Sequence, residues 1–108
     1  MSKFLATRNK GFRMTFKNGF AISVQWGPEN YCDRKNEGDF DKPMDKRFWG
    51  SRTAEIAIFN NKDDSMITLG EDNVDGWLTP DKVAKVITIV QSSKTKEEIQ
   101  QKYKALNI

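Results

Sequence analysis

A chain of 108 residues with a net charge of +3, 37% hydrophobic and 11% aromatic, fits one small domain with a modest core, for which oligomerisation is a natural supplement. The complete absence of histidine excludes Ser-His-Asp and Cys-His catalysis and, with Cys32 the single cysteine, leaves no set of zinc ligands. One cysteine also rules out an internal disulfide, which points to a reducing, cytoplasmic setting; no apolar run reaches the ~20 residues of a membrane span, and no signal-peptide core opens the chain.

Residues 1–11 read as a loose arm or a short edge strand. In 12–26, Phe12, Met14 and Phe16 alternate with Arg13 and Thr15, and Phe20, Ile22, Val24 and Trp26 alternate with Ala21, Ser23 and Gln25. Lys17, Asn18 and Gly19 stand between the two runs. The segment therefore predicts a β-hairpin with one apolar face and one face of small and hydrogen-bonding groups. Bases but no acids occupy the chain up to Trp26, which suits an anionic ligand as well as ordinary solvated surface.

Residues 27–51 hold no period. They are rich in Asp, Lys, Asn and Gly, yet carry Tyr31, Phe40, Phe48 and Trp49. Structureless stretches of this length are functional or disordered as a rule, and the aromatics argue against simple disorder. Residues 52–69 predict a second hairpin, with Ala54, Ile56 and Ile58 on one face, a polar turn over 60–65 and a short strand over 66–69. An acidic loop, 70–76, comes next. Thr79, Pro80 and Asp81 start a helix with a capping hydroxyl, a proline in the first turn and an acid at the positive end. Val83, Val86, Ile87 and Val90 then form one apolar stripe, expected to cover the Phe16, Ile22 and Val24 face. Thr95 to Glu98 is a capping box for a second helix with Ile99, Tyr103 and Leu106 along one edge, so that 79–106 holds both helices. The expected fold is α+β: one domain over 1–108, with an antiparallel sheet of about four strands packed in two layers against two C-terminal helices.

Two groups of side chains carry ligand chemistry. The first is the aromatic and basic loop with Trp26, Tyr31, Arg34, Lys35, Arg47, Phe48, Trp49, Arg52 and Thr53. Rings stack on bases and guanidinium groups take phosphates; the alternative is that Trp26, Phe48 and Trp49 close the end of the core. The second is the outward hairpin face, Arg13, Thr15, Ser23 and Gln25, whose alternative is a plain solvent face. Glu71, Asn73, Asp75 and Gly76 have the start of a calcium-loop spacing, but Lys82 stands where the bidentate acid belongs. Asp33, Glu37, Asp39, Asp41 and Asp45 alternate with cations and read as a solvated ionic loop, not as paired catalytic acids. No cofactor, metal site or enzymatic activity is expected.

The run FKNGFAISVQWGP over 16–28, NYC at 30–32, AEIAI at 54–58 and GWLTP at 76–80 resemble a family of small bacteriophage proteins, over about 12–92. Within them the chain is similar to viral nucleotide sponges of the anti-CBASS or anti-Thoeris type. That resemblance implies a small, oligomeric, non-enzymatic protein that sequesters a cyclic di- or trinucleotide signal in the host cell cytoplasm. The residues assigned to the ligand rest on side-chain chemistry: Tyr31, Phe48 or Trp49 to stack bases, Arg13, Arg47 and Arg52 to hold phosphates, and Ser23, Gln25 and Thr53 to complete the contacts. Two alternatives use the same residue types. One is a single-stranded nucleic-acid-binding accessory protein; the other is a protein-interaction module that blocks a host enzyme through Phe40, Phe48 and Trp49.

Overall fold

The computed structural model describes residues 2–7, 10–36 and 50–108. The hairpin alternation becomes β2 (Gly11–Thr15) and β3 (Phe20–Gln25), paired antiparallel with Met14 opposite Ile22. Its turn is Lys17, Asn18 and Gly19, closed by Phe16 N–H on the Phe20 carbonyl at 2.9 Å and Gly19 N–H on the Phe16 carbonyl at 3.1 Å. Gly19 has φ +92°, a conformation that glycine adopts without steric cost. Asn18 does more than turn the chain. Its side-chain oxygen accepts from Phe20 N–H, and its amide donates to the carbonyls of Val90, Gln91 and Ser93 at 2.7, 3.1 and 2.8 Å.

Around this hairpin the sheet grows on both sides. β1 (Lys3–Ala6) pairs with β2 and forms one edge, so the N-terminal arm is a strand over those residues. β4 (Ala54–Asn60) pairs with β3, and its far side is shared by β5 (Ser65–Ile67) and β6 (Val74–Leu78). Among the described residues the sheet thus has six strands where the sequence suggested about four. The added strand β6 begins inside the expected acidic loop. Asp75 and Gly76 have poor strand propensity, so pairing with β4 places them there and no pattern of their own announces it.

Both helices lie on one face of the sheet, giving the two-layer α+β architecture. α1 (Pro80–Ser92) is capped by Thr79, whose hydroxyl accepts from Lys82 N–H. Val83, Val86 and Val90 are buried in one cluster with Phe20, Ile22 and Val24, with Phe16 and Ile87 packed at its border. α2 (Lys96–Leu106) is capped by Thr95, and Glu98 reaches back to Lys94 N–H at 3.2 Å. Hydrogen bonding from the Lys102 side chain and the Lys94 backbone holds the Glu98 carboxyl below its usual range. Ile99 sends α2 into the same core. Among the described residues no helix lies on the opposite face of the sheet.

Candidate functional site

The side chains singled out in the sequence fall into three places. Arg13 and Gln25 lie on the helix-free face and are spent within the sheet. The Arg13 guanidinium sits 4.3 Å from the Phe59 ring centroid, and its Nη2 donates to Asn61 Oδ1 at 2.9 Å and pairs with Asp64 at 3.6 Å. That directs it along the strands toward the β4–β5 turn. Gln25 Nε2 donates to Thr7 Oγ1 at 3.2 Å and Ser23 Oγ at 3.1 Å. Arg47, Phe48 and Trp49, with Phe40 and the acids from Glu37 to Asp45, lie outside the described residues.

The third place is the corner where the loop after β3 meets β6. The loop is built around buried groups: Pro28 and Cys32 are enclosed, and Gly27 lies against the aliphatic stem of Lys10, where an added Cβ would stand 2.8 Å from its Cδ. Lys10 Nζ pairs with Glu29 at 3.7 Å. Asn30 closes the turn by accepting from Gly27 N–H at 2.9 Å. Glu55, on the helix-free side of β4, then clamps the loop to the sheet. Its two oxygens accept from Asn30 Nδ2 at 3.2 Å and from Tyr31 N–H at 3.1 Å.

From the other side, Trp77 N–H donates to the Tyr31 carbonyl at 2.9 Å. Gly76 makes this approach possible, because a Cβ there would fall 2.5 Å from Tyr31 Cβ. The result is a ring pair, Tyr31 on Trp77, with centroids 5.4 Å apart and planes inclined by 33°. Tyr31 and Trp77 are 45% and 53% exposed, and Lys35 Nζ stands 5.6 Å from the Tyr31 centroid. Trp77 holds φ +54°, the left-handed region, which is a genuine outlier for a bulky side chain. A large apolar ring is therefore held in solvent by a strained backbone, a combination associated with ligand clamps.

Asp33 joins this corner to residues 50–53. Arg52 Nε donates to Asp33 Oδ2 at 3.1 Å, Thr53 Oγ1 donates to Asp33 Oδ1 at 2.9 Å, and Asp33 N–H donates to Thr53 Oγ1 at 3.0 Å. The Arg52 side chain is 93% exposed, so its pairing is weak and easily exchanged. The same 50–53 stretch borders an apolar cleft of about 340 Å³ on the helix side, walled by Phe12, Trp26, Pro80, Val83 and Ile87. Phe12 and Trp26 meet edge to face at 6.2 Å.

The structure thus brings Tyr31, Lys35, Arg52 and Thr53 to one end of the sheet and leaves Arg13 pointed the other way. Trp77 belongs to that end and was missed, because in the sequence it reads only as the lead into α1. The glycine before it was the available sign of a close backbone approach. Elsewhere, Asp75 accepts a hydrogen bond from the Tyr103 hydroxyl, and burial together with that carboxylate raises the phenol well above its ordinary range. Among the described residues no cluster of acids and cysteine is arranged to hold a metal ion, and no helix is long and apolar enough to cross a membrane. Comparison with family models, curated proteins and solved structures finds no match for this chain.

Proposed function

We propose that this protein is a non-enzymatic binder that sequesters a cyclic di- or trinucleotide immune signal, as a phage-encoded counter to a bacterial defence. The observation behind this is the exposed Tyr31–Trp77 pair, held by a strained backbone, with Lys35 over the Tyr31 ring and Arg52 paired to Asp33 of the same loop. A nucleobase stacks on such rings without sequence-specific readout, and each stacked base is worth ~1–3 kcal/mol. Arg52 gives up an exposed carboxylate for a phosphate at little cost, since such pairs contribute about 0–1 kcal/mol. Its planar fork suits phosphate oxygens better than a lysine does. Nothing in this scheme requires a proton transfer or a nucleophile. The ligand leaves as it entered.

The test is calorimetric titration with 3′,3′-cyclic GMP-AMP, cyclic di-GMP and cyclic triadenylate, followed by heating and mass analysis of the released ligand. At least one is expected to bind and to be recovered intact, and Trp77→Ala and Arg52→Ala are each expected to weaken it about tenfold. Absence of a complex with all three at micromolar concentration sinks the proposal, and cleavage of the ligand would make the protein an enzyme. Preferential binding of a single-stranded oligonucleotide, with a steep salt dependence, would replace it with the nucleic-acid alternative.

A further inference from the structure

The two edges of the sheet are built differently. On the β5 and β6 side the strands are short, the β4–β6 register shifts between Ala54 and Ile56, and Asp63, Asp64, Glu71 and Asp72 crowd the adjoining turns. Short strands, irregular register and charge are the devices that stop an edge from recruiting another strand. β1 is short as well, at four residues, but beyond Lys3 it has neither irregular register nor charge: it contains no proline and no bulge, and it leaves Phe4 76% and Leu5 52% exposed.

Its backbone is also poised to pair. Thr7 N–H donates to the Gly11 carbonyl at 3.0 Å, which makes Thr7 and Gly11 a hydrogen-bonded pair. With Leu5 opposite Arg13 and Lys3 opposite Thr15, those residues turn their polar backbone inward by the antiparallel alternation. Phe4 and Ala6 therefore turn their N–H and C=O groups outward.

We infer that β1 pairs antiparallel with β1 of a second copy across a two-fold axis at Phe4, so that the sheets of two protomers become one. In that register Phe4 exchanges both backbone bonds with Phe4 of the partner subunit, and Ala6 does so with Ser2 of the partner subunit. Leu5 lies across from Lys3 of the partner subunit on the helix-free face. The one cation in the strand thus meets an aliphatic side chain instead of its own copy, and no like charges oppose each other. Self-pairing of this kind is isologous and closes at the dimer. It stands apart from the nucleotide proposal, which rests on the opposite edge.

Sedimentation of the full chain at up to about 100 µM tests this, with a dimer expected. Phe4→Lys and Phe4→Glu alter an exposed side chain and leave the β1–β2 ladder intact. Each alone is expected to raise the dimer dissociation constant at least tenfold with an unchanged circular dichroism spectrum, and an equal mixture of the two is expected to restore association. Phe4→Cys is expected to cross-link to itself under mild oxidation, because hydrogen-bonded antiparallel partners stand about 5.5 Å apart at Cα, within disulfide range. A monomer at the highest concentration overturns the inference. So does a dimer indifferent to Phe4→Lys that Phe4→Cys fails to cross-link.

Discussion

Trp77 is the residue whose conformation and side chain conflict most openly. Left-handed φ costs an L-residue ~1–2 kcal/mol, and the ring gains little burial in return. Glycine relieves that strain and alanine does not. Trp77→Gly is therefore expected to unfold in urea with a free energy about 1 kcal/mol higher than Trp77→Ala, although glycine is ordinarily the worse strand residue. Equal stabilities, or the reverse order, would show that the position carries no strain. Local roles such as the Thr79 and Thr95 caps and the Gly19 turn are legible in the sequence, because each depends on neighbours within a few residues. The seat of Arg13 on Phe59 is not, because its partners Asn61 and Asp64 lie far along the chain.

Among the elements, the β2–β3 hairpin and α1 are coupled through one side chain. Asn18 donates to carbonyls at the end of α1, which the helix itself leaves without partners. Asn18→Ala removes those donors and the contact to Phe20 N–H together. The expected cost is about 1–3 kcal/mol in denaturant unfolding, and faster amide exchange at the end of α1 would locate it. A loss no greater than that of Lys17→Ala would show that the hairpin and helix are held by packing alone. Alternation exposed β2, β3 and β4 in the sequence because one face of each strand carries the large apolar side chains that pack on the core, while the other carries mostly small and polar ones, of which Thr15, Ala21 and Ala57 are buried too. β6 left no such trace. Its Val74, Asp75, Gly76 and Trp77 are half-buried or exposed in turn, and pairing with β4 decides their conformation.

Over the whole molecule, one cluster joins the sheet to both helices, with Ile22, Ile56, Ile58, Val86, Val90 and Ile99 fully enclosed. Ile99 brings only one buried residue of α2 into it, yet a shared core should make the loss global. Ile99→Ala is expected to cost about 2–5 kcal/mol, with far-ultraviolet dichroism and tryptophan fluorescence still unfolding at one midpoint. Separate midpoints would mean that α2 melts by itself. Both described helices lie on one face of the sheet, and at the end of the other face the loop clamped by Glu55 meets β6. By itself the sequence determined the α+β class, the hairpin, the helix caps and the apolar stripe of α1, since hydrophobic period and capping chemistry act over short distances. Only the tertiary structure decided that Tyr31 meets Trp77, that Arg52 shares Asp33 with Thr53, and that β1 is an edge strand among the described residues. Each of these depends on backbone pairing between segments distant in the chain, and no local pattern of residues encodes it.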